Sequence, residues 1–214
     1  MHKRRWVGWI CVGLWSGLAL AGCGGSGGGE GDNDQGIVFR ALGFYRGLES
    51  IDENEIRCTE PNSANSVVDN SYVIDLERVE FFPDRSNPAA DPCGGYLALE
   101  NNLNVMGINV QEVVVRYEVP GGAISFEPTS ITLGTRIDSA SSQRETPSGR
   151  ANLVYIQLVG EMLPERVLVS LDQNRNLLPA TPYALNAFFE AKGQSDNGTR
   201  YTSNEVGYQF EITR

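Results

Sequence analysis

The chain has 214 residues, 17 Lys and Arg against 27 Asp and Glu, and a formal net charge of −10. Beyond Lys3, Arg4 and Arg5 the basic residues are dispersed, and Lys192 is the one other lysine. An acidic surface with no basic patch repels phosphate backbones, which excludes nucleic acid as a partner.

At the start of the chain, His2, Lys3, Arg4 and Arg5 precede an apolar run from Trp6 to Leu20, interrupted by Gly8, Gly13 and Gly17. A charged start, an apolar stretch and small residues at its end form a secretory signal. The stretch between Arg5 and Cys23 is about 17 residues, short of the roughly 20 that a membrane-spanning helix needs. Arg4-Arg5 also opens a twin-arginine export signal, but Trp6-Val7-Gly8 does not continue that motif.

Leu20-Ala21-Gly22-Cys23 resembles the lipobox of bacterial lipoproteins. The resemblance implies that residues 1–22 are a lipoprotein signal peptide, that Cys23 becomes the mature N-terminus, and that its thiol carries diacylglycerol with palmitate-type chains. One acyl chain binds a membrane only marginally, so a stable anchor takes several. The expected location is therefore the cell envelope, with the chain anchored to the membrane through its N-terminal lipid. Gly24 stands where an aspartate would resemble an inner-membrane retention signal, so the outer membrane is expected, with the periplasmic and exterior faces both left open.

Residues 23–36 form the next segment. From Gly24 to Gly36 seven positions are glycine, joined by Ser26, Glu30, Asp32 and Asp34. Such a composition cannot bury enough apolar surface to offset its chain entropy, so it reads as a tether. As a flexible coil it reaches roughly 20 Å. Asp32, Asn33, Asp34 and Gly36 superficially match a calcium loop, but no closing glutamate follows, and a solvated linker is expected.

Loss of residues 1–22 removes the one histidine, His2, and all three tryptophans, Trp6, Trp9 and Trp15. Ser-His-Asp and Cys-His catalysis and His-containing zinc sites then become impossible. It also leaves 14 basic residues against 27 acidic ones, a net charge of about −13. With Cys11 removed and Cys23 lipidated, Cys58 and Cys93 remain as a pair in an oxidising compartment, and a disulfide between them is expected. It closes a loop-rich part, about residues 37–100, in which Thr59 to Asn65, Pro83 to Pro88 and Asp91-Pro92 lack apolar periodicity.

From residue 37 onward, short apolar runs separated by turn residues predict strands. They are Ile37 to Tyr45, Tyr72 to Leu76, Val113 to Val119 before the Pro120-Gly121-Gly122 turn, Leu153 to Val159, Val167 to Leu171, and Val206 to Thr213. Residues 182–193 fit two patterns. Thr181-Pro182 with Ala184, Leu185, Phe188 and Phe189 and a stop at Lys192-Gly193 suits a helix. Tyr183, Leu185, Ala187 and Phe189 at period two suit a strand that leads through Asp196-Asn197-Gly198-Thr199 into a terminal hairpin, the simpler topology. Asn197-Gly198-Thr199 is formally a glycosylation sequon and reads here as turn chemistry.

Pro182 to Thr213 resembles the C-terminal hairpin of bacterial immunoglobulin-like β-sandwich modules, and Val113 to Val119 resembles an inner strand of such a domain. The resemblance covers about residues 105–214 and implies an all-β, antiparallel immunoglobulin-like sandwich for residues 37–214. It departs from immunoglobulin domains in having no core Trp and in placing Cys93 in an Asp-Pro-Cys-Gly-Gly turn. Modules of this kind are mostly adhesive, spacer or assembly units.

Two function classes follow. In the first, the protein is a membrane-anchored envelope lipoprotein with a non-catalytic binding or structural module, its partner another envelope protein or a polysaccharide, with no catalytic, cofactor-binding or metal-binding residue. In the alternative, it is a secreted carboxylate-dependent hydrolase, with Asp52, Glu53, Glu55 and Glu60, or Asp75 and Glu77, meeting across a cleft. Asp172, Asn174 and Asn176 raise a metal loop, but Leu177 stands where an EF-hand has glycine, so a turn is expected.

Overall fold

A computed structural model describes residues 37–52, 55–62, 64–76, 93–158 and 161–213. The signal segment, Cys23, the tether, Glu53 and Glu77 lie outside the described residues.

In chain order the elements are β1 (Phe39–Arg46), β2 (Leu48–Asp52), β3 (Glu55–Thr59), β4 (Val67–Val68), β5 (Ser71–Asp75), β6 (Tyr96–Asn101), β7 (Ile108–Glu118), β8 (Thr129–Ile137) and β9 (Leu153–Gln157). After these come α1 (Glu165–Gln173), a 3-10 turn (Arg175–Leu177), β10 (Tyr183–Ser195), β11 (Arg200–Thr202) and β12 (Val206–Thr213). The fold is therefore all-β in class, with one short helix.

Two sheets share one core. The larger runs β5-β12-β10-β7-β8, with β11 also paired to β10, and the smaller runs β4-β1-β6-β9. The β2–β3 hairpin stands apart from both. Alternation drives the large sheet: along β10, Leu185, Ala187, Phe189 and Ala191 are fully buried, while the intervening Asn186, Phe188, Glu190 and Lys192 are half-buried. Phe44 of β1 meets Phe189 of β10 edge-on at 4.7 Å and Tyr208 of β12 at 5.1 Å, a contact that joins the two sheets. The small sheet also buries its second face, where Tyr96, Ala98, Leu153 and Tyr155 cluster with Leu42 and Tyr45.

The segment 182–193 forms a strand, in β10, which pairs antiparallel with β12 from Tyr183↔Ile212 to Phe189↔Val206. The terminal hairpin is more elaborate than expected, since β11 first pairs with the end of β10 and a corner at Ser203 to Glu205 precedes β12. Gly198 takes φ +88° in the connecting turn, a conformation that favours glycine. Asn197 accepts a bond from Thr199 N at 3.0 Å, so the sequon residues do act as turn chemistry.

Three expectations need correction. Val167 to Leu171 is helical, because Val167, Leu168 and Leu171 are all buried, a spacing that one helix stripe satisfies and one strand face does not. The sheet is not purely antiparallel, since β5 lies parallel to β12 from Ser71↔Gln209 to Asp75↔Thr213. These two strands are separated by most of the domain's length, so a long crossover is available to them. Finally, β6 and β8 form strands that the apolar runs did not reveal.

Candidate functional site

At one end of the large sheet, the finish of β5, the finish of β12 and the start of β10 lie side by side, as their register requires. The chain from the end of α1 through the 3-10 turn closes over this end. Ala123 N donates to Leu177 O at 3.0 Å and ties the closing loop to the turn after β7. A pocket of about 270 Å³ results, lined by Leu76, Arg175, Leu178, Pro179, Ala180, Thr181, Tyr183 and Thr213. Its volume lies just below the roughly 300 Å³ at which small-molecule sites begin.

The walls are mostly apolar, and their polar groups are few. Leu76 is buried, and the half-buried Leu178 and the Tyr183 ring pack against the main core. The Thr213 hydroxyl donates to Ile74 O at 3.1 Å and is engaged. Arg175 donates through Nε and Nη2 to Asp172 Oδ1 at 2.9 and 2.5 Å, which uses two of the five guanidinium N–H groups. Tyr183 Oη is buried and has no hydrogen-bond partner, alone among the described side-chain polar atoms in this respect. Burial pushes its phenol pKa up, while the Arg175 charge pulls the other way. An unpaired buried hydroxyl is costly, and native structures seldom leave one without a reason.

Among the described residues that line this pocket none is Asp or Glu, and Glu60 is not one of them. Asp52 and Glu55 pair at the tip of the β2–β3 hairpin, while Asp75 ends β5 in the large sheet. Glu60 is exposed after β3; desolvation raises its pKa, and the Tyr96 phenol is pushed up by burial first and by the Glu60 charge second. The metal-loop residues serve other ends: Asp172 holds Arg175, and Asn174 Nδ2 donates to Ser170 O at 2.8 Å at the helix end. Among the described residues no group of three His, Cys, Asp or Glu is placed to hold a metal.

Cys58 and Cys93 stand at bonding distance, Sγ to Sγ 1.91 Å, joining the end of β3 to the turn before β6. Nearby, Gly47 N donates to Cys93 O at 2.7 Å. A Cβ on Gly47 would run into the Thr59 carbonyl oxygen, so glycine permits the close approach between the start of the β2–β3 hairpin and its return strand. Sequence reasoning identified this pair but missed the pocket. Arg175 and Thr181 carry no periodic signal, and Tyr183 reads simply as one side chain of a strand face.

No family model, no curated protein and no solved structure matches the chain.

Proposed function

We propose that the chain is a lipid-anchored cell-envelope protein whose folded part is a non-catalytic binding or structural module of the immunoglobulin-like sandwich kind. The observation that carries the reading is the Cys58–Cys93 pair at bonding distance, because such bonds persist in exported proteins and not in reducing cytosol. It agrees with the signal pattern and with the lipobox-like Leu20-Ala21-Gly22-Cys23. Two sheets packed on one core through Phe44, Phe189 and Tyr208 support a sandwich, and a glycine-rich tether gives such a module freedom above a membrane. The module recognises another envelope protein or a polysaccharide, and recognition falls to its loop ends and edge strands. Among the described residues no helix is long and apolar enough to cross a membrane.

The test is a screen of the purified full chain against chromogenic ester, peptide and glycoside substrates. No turnover is expected. Turnover abolished by a single Asp or Glu to Ala substitution, with the far-UV spectrum unchanged, would overturn the non-catalytic reading in favour of the hydrolase.

A further inference from the structure

We propose that the end of the domain at which β1 starts rests on the lipid surface, with Ile37 and Val105 entering the headgroup region of a zwitterionic bilayer. The inference rests on the lipid-anchor reading and adds to it which end of the domain meets the membrane. Three observations carry it. Among the described residues, Val105 and Ile37 are the two most exposed large apolar side chains, at 82% and 77%. They also share one end. Phe39 at the start of β1 pairs with Asn101 at the finish of β6, and Asn102 N donates to Val38 O at 2.8 Å, so the β6–β7 loop that carries Val105 lies beside the point where the chain enters the domain. That entry point is where the glycine-rich segment stops, and only residues 24–36 separate it from Cys23. A flexible coil of this length keeps its two ends within roughly 20 Å, so the lipid on Cys23 holds this end near the bilayer.

A tethered surface meets the bilayer at an effective concentration of about millimolar, so a weak contact is enough to orient the domain. Removing an exposed valine or isoleucine side chain from water strengthens such a contact by about tenfold. The loop that presents Val105 is fixed: Leu103 N donates to Asn101 Oδ1 at 2.9 Å, and Ala140 N donates to Leu103 O at 2.7 Å. Charge selects the kind of surface. The chain carries a net charge of −10, and anionic headgroups repel it. Among the folded residues of this end the charges balance. Arg136 pairs with Asp138 and Asp196, Arg144 with Asp138, and Arg40 and Arg150 with Glu100, while the exposed Glu145 evens the count. A zwitterionic surface therefore meets no like charge in excess here.

Tryptophan fluorescence tests the orientation, because Trp6, Trp9 and Trp15 all lie in residues 1–22 and a processed chain has no tryptophan of its own. The full chain, expressed in a bacterial host and purified from its membranes, is incorporated into phosphatidylcholine vesicles and recovered by flotation. Val105→Trp is compared with Val68→Trp, an exposed position in β4, which pairs with the finish of β1 at the far end of that strand. In vesicles of phosphatidylcholine brominated on the acyl chains near the headgroup, Val105→Trp should be strongly quenched and Val68→Trp little affected. Adding Ile37→Ser to Val105→Trp should weaken the contact by about tenfold and restore most of the emission. Co-floating protein in which both positions are quenched alike, or in which Val105→Trp is unquenched, would overturn the proposal and leave the anchor standing. A blue shift at Val105→Trp without quenching by brominated lipid would put protein on this end and overturn it too. Failure to float, or tryptophan emission from the unsubstituted chain, would overturn the anchor reading and this proposal with it.

Discussion

Asn101 at the end of β6 is fully buried, and its side chain works as a junction. Nδ2 donates to Met106 O at 2.8 Å and to Asp138 O at 3.0 Å, while Oδ1 accepts from Leu103 N at 2.9 Å. One amide thereby satisfies backbone groups next to β6, β7 and β8, which belong to different sheets. Asn101→Leu keeps the volume but orphans all three. The expected loss is about 2–4 kcal/mol in chemical denaturation, since orphaned groups cost about 1–3 kcal/mol each and these are partly reachable by water. Asp196, in the turn after β10, works by charge. It accepts from Arg136 Nη1 at 2.5 Å, Arg136 Nη2 at 2.9 Å and Gly107 N at 2.9 Å, so these bonds hold its carboxyl at about 2, below the usual 3.8. A depressed folded-state pKa contributes stability that is fully present above the ordinary carboxylate value and is lost as pH falls through about 2. The site is solvent-facing, so salt should weaken the effect. Denaturation midpoints measured between pH 6 and pH 2 should therefore fall less steeply in Asp196→Asn than in the unsubstituted protein, and parallel curves would contradict this role.

Among the described residues, the β2–β3 hairpin has no partner strand in either sheet, and the Cys58–Cys93 bond is its covalent tie to the turn before β6. The bond closes a sequence separation of 35 residues. Exported protein denatured without reductant should expose no free thiol, and Cys58→Ala with Cys93→Ala should lower stability by about 2–5 kcal/mol. Two titratable thiols in freshly purified protein would contradict it. The elements differ in how far the residues announce them. β10 and β12 each bury one face and alternate cleanly, as β7 does from Val113 onward, past a register shift between Val110 and Glu112, so period two was readable there. In β6 every residue from Tyr96 to Asn101 is buried, because both faces are covered, and alternation vanishes. As an edge strand, β8 mixes Thr, Ser and Gly134 with two buried isoleucines and looks like a loop. In α1, Val167, Val169 and Leu171 sit at strand spacing while Val167, Leu168 and Leu171 sit at helix spacing. Burial of Leu168 on the same side as its neighbours resolves the ambiguity, and only the packed core supplies that information. The pocket was illegible for a different reason: Leu76, Tyr183 and Thr213 come together only through the parallel pairing of β5 with β12 and the antiparallel pairing of β10 with β12.

For the molecule as a whole, the proposal joins three parts with separate physical tasks: a lipid that holds, a glycine-rich tether that spaces, and a two-sheet domain that recognises. The acidic charge fits this division, since anionic headgroups repel an acidic chain. It follows that a single thiol carries the attachment. The central claim is tested most directly by metabolic labelling with radioactive palmitate in a bacterial host, comparing the full chain with Cys23→Ser and fractionating the cells. The account predicts label and membrane recovery for the unsubstituted chain. For Cys23→Ser it predicts complete loss of label and a shift to the soluble or uncleaved pool. Label that persists undiminished in Cys23→Ser would contradict it.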